Sequence, residues 1–135
     1  MVWALARTAT SLDMTMTYTG PVLDSPDARE LADFYRRLLG WEATQDEPDW
    51  VTLRAPDGTA HQSFQTEPLY EPPHWPAEHG AQQIMAHLDI EVDDLAAETA
   101  RAVDEGAKVA DFQPQQDVRV CLDPAGHPFC LWVRD

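Results

Sequence analysis

The chain has 135 residues, with 9 lysine or arginine side chains against 24 aspartate or glutamate side chains, so its formal net charge at pH 7 is −15. This length suits one compact domain, and a charge this negative repels phosphate backbones and anionic lipids, which argues against nucleic acid or a membrane surface as a partner. Two cysteines, no apolar run long enough to cross a bilayer and no secretory leader pattern predict a cytoplasmic protein.

In chain order, the first predicted elements are an N-terminal extension, a strand and a helix. Residues 1–15 lack strong periodicity, and disorder is one interpretation of this extension. A strand is expected over 16–23, followed by a helix over 26–39 with Ser25 as its N-cap and Pro26 at its first position. The side chains that have helical spacing and are expected to face the core are Leu31, Phe34, Tyr35 and Leu38.

The rest of the chain repeats this order of elements. The stretches GWEAT, DWVTLR and HQSFQ are typical of three strands after the first helix. The stretch IMAHLDIEV predicts a strand before a second helix, which is capped by Asp94 and ends at Glu105. In that helix, the side chains expected to face inward are Leu95, Ala102 and Val103. Three more strands are expected in AKVADFQ, VRVCL and FCLWV. Asp27 and Asp94 are 67 positions apart, and Gly40 and Gly106 are 66 apart, which indicates an internal duplication.

The duplication predicts the domain organisation. We expect an α+β fold with a first βαβββ module at 16–66 and a second at 83–135, within one compact domain. The segment between them, 67–82, is rich in proline and cannot form a central strand or a long helix. It is expected either to be a plain tether or to fold over the mouth of a cavity.

The stretch HLDIEVDD, which begins at His87, contains the main candidate site. On a strand, His87, Asp89 and Glu91 would share one face, and the apolar residues between them would face the core. These groups are candidates for metal binding or for acid–base chemistry, because desolvation raises the pKa of a carboxylate and imidazole titrates near pH 7. His87 and Glu91 are the catalytic candidates. The alternative is a solvated polar surface.

The two cysteines bracket the turn LDPAGHPF. A symmetric hairpin would place Cys121 and Cys130 opposite each other on one face, where they form either a dithiol or two small buried apolar side chains. His127, within the turn, is interpreted as structural, with its side chain bonded to local backbone.

Four motifs resemble the vicinal oxygen chelate superfamily, which includes glyoxalase I, bleomycin-resistance proteins and extradiol dioxygenases. They are LDSPDARELADFYRRLLGWE, DWVTLRAPDG, HLDIEVDDL and LDPAGHPFCLW. More narrowly, the chain is similar to glyoxalase-like proteins of actinobacterial type. The likeness spans about residues 16–133. It implies cupped mixed sheets around a ligand cavity, often completed by a dimer partner, and therefore a homodimer.

The resemblance also implies a position for a metal. Active members hold a divalent ion through His and Glu residues on the first and last strands of the modules. The matching positions here are Gly20, Gln65 or Gln62, His87 and Cys130. Glycine has no ligand atom and an amide is a weak ligand. We therefore expect a degenerate metal site without a resident cofactor. A divalent Zn, Ni, Fe or Mn ion on His87, Gln65 and Cys130, or on a site rebuilt with Asp89 and Glu91, is the alternative.

The function that these expectations favour is the binding of a small organic molecule, aromatic or antibiotic-like, as in the resistance members. The residues expected to contact the ligand are Tyr18, Trp50, Gln65, Trp75, His87, Asp89, Cys130 and Trp132. The aromatic members of this set have core packing as their alternative role. The alternative functions are a metal-dependent lyase, isomerase or dioxygenase and a purely structural interaction module.

Overall fold

The computed structural model of the protein describes residues 15–134. The first module consists of β1 (Val22–Ser25), α1 (Ala28–Leu39), β2 (Glu42–Glu47), β3 (Trp50–Arg54) and β4 (His61–Thr66). The second consists of β5 (Leu88–Glu91), α2 (Leu95–Glu105), β6 (Lys108–Val109), β7 (Val118–Leu122) and β8 (Pro128–Trp132). The predicted α+β fold of two βαβββ modules is confirmed. The predicted extension at 1–15 lies almost wholly outside the described residues.

Each module folds its strands into one four-stranded mixed sheet. The orders are β1-β4-β3-β2 and β5-β8-β7-β6, with the first and last strands of each module parallel and the remaining neighbours antiparallel. The hairpins that end the modules turn at APDG and DPAG, where Gly58 and Gly126 have φ of 76° and 93°. Glycine takes these left-handed values without steric cost, which allows the tight reversal.

The helix termini follow from local capping chemistry. Asp27, not Ser25, caps α1, because its carboxylate accepts the backbone N–H groups of Arg29 and Glu30. The predicted start was therefore early, and Ser25 Oγ instead accepts the N–H of Asp27 at 3.1 Å. For α2, the predicted cap Asp94 is confirmed. Neither helix in the described range has the length and apolarity that crossing a membrane requires.

One apolar core lies between the two sheets and contains both helices. The four predicted inward side chains of α1 are all buried, and the rings of Phe34 and Tyr35 lie 5.9 and 6.0 Å from that of Phe129 in the second module. In α2, Ala102 is fully buried as predicted, but Val103 is 44% exposed, so its predicted inward position is wrong. Because the helix-packed faces of both sheets share this core, the polar face of each sheet lies on its outer side.

A buried hydrogen bond joins the modules across this core. Tyr35 Oη donates to Asp123 Oδ2 at 2.8 Å, and Asp123 Oδ1 accepts the N–H groups of Ala125 and His127. Burial raises the pKa of the Asp123 carboxyl above its usual range, although the nearby His127 and these hydrogen bonds oppose the rise. Burial and the Asp123 charge also raise the pKa of Tyr35, so the phenol remains the donor.

Candidate functional site

The alternation in HLDIEVDD is reproduced on β5. The apolar residues Leu88 and Ile90 pack against the core, whereas His87, Asp89 and Glu91 lie on the outer face. A strand of period two places these three side chains on the same face because successive side chains point in opposite directions.

A compact group of metal-competent side chains forms where β5 meets β8. The parallel register places Asp89 beside Cys130, and His87 Nε2 lies 3.1 Å from Asp89 Oδ1. Within residues 15–134, His87, Asp89 and Cys130 are the group of histidine, cysteine and acidic side chains whose ligand atoms come within 4.8 Å of one another. The His87 and Asp89 side chains are 47% and 63% exposed, so this group is accessible to solutes.

The Cys130 thiol is held in its protonated form. Desolvation raises its pKa, and the charge of Asp89 and a hydrogen bond to that carboxylate raise it further. A thiol is a poor nucleophile until it ionises, so this environment does not activate Cys130. Asp89 thus accepts from Cys130 while it contacts His87.

The two cysteines do not face each other. Cys121 pairs with Phe129 and Cys130 pairs with Val120, so the thiols point to opposite faces of the hairpin. The predicted facing arrangement is wrong because the turn between Leu122 and Pro128 holds an odd number of residues, which shifts the register by one. Cys121 is fully buried, and burial raises its pKa to about 11.

A cavity of about 310 Å³ opens over this group. Its lining combines the predicted residues His87, Asp89, Cys130 and Trp132 with Gln115, Asp117 and Val118. The last three were missed from the sequence because the loop before β7 has no periodicity that assigns its side chains to a face. Val118 follows from the register alone, since it lies opposite Trp132.

An ion pair borders this cavity. Arg134 donates to both carboxylate oxygens of Glu91, at 2.9 and 3.1 Å, and its guanidinium carbon lies 5.8 Å from the centre of the Trp132 ring. The carboxylate of Glu91 is therefore already paired. It is not part of the cavity lining, and the geometry connects it to the position of the indole rather than to a reacting group.

The equivalent face of the first module carries different chemistry. The register pairs Val22 with Ser63 and Asp89 with Cys130, so the spacing of 67 residues makes Ser63 the counterpart of Cys130. The predicted equivalence of Gln65 is wrong, because the first hairpin turn is one residue longer than the second. Gln65 instead donates to Asp24 Oδ1 at 2.7 Å.

The counterpart of His87 at the same spacing is Gly20. This glycine has φ of 122°, and a Cβ atom there would lie 2.6 Å from the carbonyl oxygen of His61. Both the left-handed backbone and the close approach of another chain segment exclude an ordinary side chain. The first module therefore has no room for a histidine ligand at this position.

The available donors fit one kind of metal site and not another. An imidazole nitrogen, a carboxylate oxygen and a thiol sulfur together suit Zn²⁺ or a similar thiophilic ion with a fourth position left open. All three come from the second module. The four-residue set implied by the resemblance is not present, because Gly20 and Ser63 stand at its first-module positions.

The remaining aromatic candidates are dispersed. Tyr18 is 86% exposed, and Trp75 donates its indole N–H to the carbonyl of Phe112 at 3.0 Å. Trp50 lies on the first-module sheet, where its indole donates to Gln45 and Thr52. Of the four predicted aromatic contacts, Trp132 alone lines the cavity beside His87.

Comparison with known proteins places this geometry in a family. Residues 21–132 match the model of the glyoxalase-like domain, and no curated protein matches the chain. A glyoxalase/bleomycin resistance protein/dioxygenase family enzyme from Burkholderia phytofirmans is 16% identical, with a TM-score of 0.66 over 85% of this chain and 96% of that one. A possible glyoxalase from Bacillus cereus is 12% identical, with a TM-score of 0.64 over 87% and 99%. A glyoxalase-related enzyme from Fulvimarina pelagi is 16% identical, with a TM-score of 0.62 over 88% of each chain. At these identities the structures show a shared fold. The chain belongs to the glyoxalase-like domain family of the vicinal oxygen chelate superfamily.

Proposed function

We propose that this glyoxalase-like protein binds a small organic molecule, aromatic in part and of the kind that antibiotics exemplify, on the polar face of its second module. The observation that carries this proposal is the cavity of about 310 Å³ in which Trp132 lies beside His87 and Asp89. Ligand pockets of this size typically combine apolar or aromatic walls with a few polar groups that orient the guest.

The lining offers distinct contacts to such a guest. The Trp132 indole supplies a flat apolar surface, and Arg134 beyond it supports the ring. Asp89 and Asp117 supply hydrogen-bond acceptors, and the His87 imidazole supplies a donor or an acceptor according to its protonation state. The protonated Cys130 thiol contributes a polarizable surface rather than a nucleophile.

A second copy of the chain is proposed to complete the cavity, which gives a homodimer. The polar faces of the two sheets lie on the outer sides of the shared core, so the cavity beside His87 is bounded on one side only by this chain. The same proposal places the protein in the cytoplasm, where the free thiols of Cys121 and Cys130 stay reduced.

Ligand binding is tested by titrating a panel of aromatic compounds against tryptophan fluorescence. A binder is expected to quench the emission saturably, and Trp132→Phe and His87→Ala are expected to weaken its affinity. Trp75→Phe is the matched control, because its indole lies against Phe112 outside this cavity. No saturable quench across a broad panel, or equal effects of Trp132→Phe and Trp75→Phe, would contradict the proposal.

A second candidate function is metal-dependent lyase, isomerase or dioxygenase chemistry. The specific observation in its favour is the clustering of His87, Asp89 and Cys130. A bound divalent ion would polarise substrate oxygens near it, and these residues would hold it. Elemental analysis of protein purified without chelators decides between the two candidates. A stoichiometric metal that is lost in both His87→Ala and Cys130→Ser would favour this function, whereas metal-free protein that still binds ligand would favour the first.

A further inference from the structure

Exposed apolar side chains converge on a second cavity, between β1 and the linker. Val22, Leu69 and Met85 are 42%, 86% and 87% exposed, and all three line a space of about 410 Å³. Large apolar groups that share one concavity mark a binding surface more strongly than apolar groups scattered singly. None of the lining residues belongs to the cavity beside His87.

The walls of this cavity are held in place by hydrogen bonds and close packing. Tyr70 Oη donates to the carbonyl of Ala125 at 2.8 Å, and a Cβ atom at Gly126 would lie only 3.0 Å from Pro72. At the far end of the linker, the N–H of His74 donates to the carbonyl of Gln82 at 3.0 Å. The linker is therefore attached to the second-module turn and closed on itself, which gives the cavity a defined shape.

The charge of the lining selects the kind of ligand. Asp24, Glu67 and Glu71 line the cavity, and no lysine or arginine does. Two of these carboxylates accept hydrogen bonds from neutral groups, Asp24 from the Gln65 amide and Glu67 from the N–H of Leu69. Among residues 15–134, none of the three forms an ion pair, so their negative charge is not neutralised locally.

We propose that this cavity binds an organic cation with an apolar body, such as an aryl or alkyl ammonium compound. The apolar side chains would cover the body of the ligand, and the carboxylates would attract its charge and exclude anions of similar size. A second copy of the chain is a poorer occupant, because it would bring another protein of net charge −15 against an acidic rim.

The test compares three soluble probes of nearly equal size by titration calorimetry at low salt: benzylammonium, benzyl alcohol and benzoate. Benzylammonium is expected to bind best and benzoate not at all, and added salt is expected to weaken the binding. Glu67→Gln and Glu71→Gln are each expected to lower the benzylammonium affinity about twofold to fivefold, since partly exposed ion pairs contribute up to about 1 kcal/mol. Glutamine keeps an oxygen that accepts the N–H of Leu69, so the linker conformation is retained.

Asp117→Asn is the matched control, because it removes the same charge from the other cavity. Equal binding of benzyl alcohol and benzylammonium would overturn the proposal, as would equal losses in Asp117→Asn and Glu71→Gln. Failure to bind the probe in a dimer that Leu69→Asp dissociates would assign the cavity to a second copy instead. Trp132→Phe is expected to leave benzylammonium binding unchanged, so this result is independent of the function proposed for the cavity beside His87.

Discussion

The two modules share one plan but carry different side chains at matched positions. At the common spacing of 67 residues, Tyr35 of α1 corresponds to Ala102 of α2, and both are fully buried. Asp123 begins the second hairpin turn where Ala55 begins the first, and each donates its N–H across the turn at 2.9 Å. The mirror image of the Tyr35–Asp123 hydrogen bond would therefore join two alanines. The polar connection between modules exists in one direction only.

The outer sheet faces differ in the same way. On the first module, the polar groups satisfy one another, with Thr52 bonded to Ser63 at 2.8 Å and Gln65 bonded to Asp24. On the second, His87, Asp89 and Cys130 surround a cavity with accessible donor atoms. The comparison teaches that a duplicated scaffold can keep its backbone hydrogen bonding while one copy retains the chemistry and the other becomes a hydrogen-bonded surface.

The largest expected effect comes from removing the one-sided connection. Tyr35→Phe leaves the buried Asp123 carboxylate without its phenol donor, and hydrogen bonds to buried charged groups contribute about 2–3 kcal/mol. Urea denaturation should show a loss of this size in the free energy of unfolding at neutral pH. Tyr70→Phe, which removes a half-buried bond to the neutral Ala125 carbonyl, is the control and should cost about 1 kcal/mol.

The same variant has a pH dependence of known sign. In the wild type, the Asp123 pKa is raised above its unfolded value, so its contribution to stability is greatest at low pH and falls as pH rises through the folded pKa. The Tyr35 hydrogen bond favours the charged carboxylate. The destabilisation by Tyr35→Phe should therefore shrink as pH falls through the Asp123 pKa. A loss that is independent of pH would mean that the phenol acts through packing alone.

The next effect concerns the position at which the modules differ by a glycine. Gly20→Ala places a Cβ atom 2.6 Å from the His61 carbonyl oxygen in a left-handed backbone, and we expect a loss of about 1–2 kcal/mol. Gly40→Ala is the control, since φ is also positive but no atom lies within 4 Å, so only the backbone strain applies. Equal losses in thermal or urea unfolding would contradict the steric explanation for the missing first-module ligand.

The smallest effect is on the reactivity of Cys130. Asp89→Asn removes the negative charge that helps to raise the pKa of the thiol, and the rate of alkylation by iodoacetamide at pH 7.5 should rise about threefold to tenfold. Peptide mapping distinguishes Cys130 from the fully buried Cys121. Asp117→Asn, in the same cavity, should change the rate less. An unchanged rate in Asp89→Asn would show that burial alone sets the pKa of this thiol.

Much of the fold could be predicted because its signals are local. Capping residues, glycine stops and the spacing of 67 residues predicted two modules, and the alternation in HLDIEVDD placed His87 and Asp89 together on one face. The errors occurred where a one-residue difference in a loop changes the outcome. The odd-length turn before Pro128 placed Cys121 and Cys130 on opposite faces, and the longer first turn made Ser63 rather than Gln65 the counterpart of Cys130.

The sequence by itself determined the repeated scaffold, the acidic charge and the polar face of β5, because periodicity and residue chemistry act over a few neighbouring positions. The tertiary structure alone decided that Asp89 lies beside Cys130, that the linker lines a cavity with β1, and that Tyr35 reaches Asp123 across 88 positions of the chain. Such contacts depend on strand register and on the packing of one module against the other. Both are set by the whole chain at once, so no local pattern encodes them.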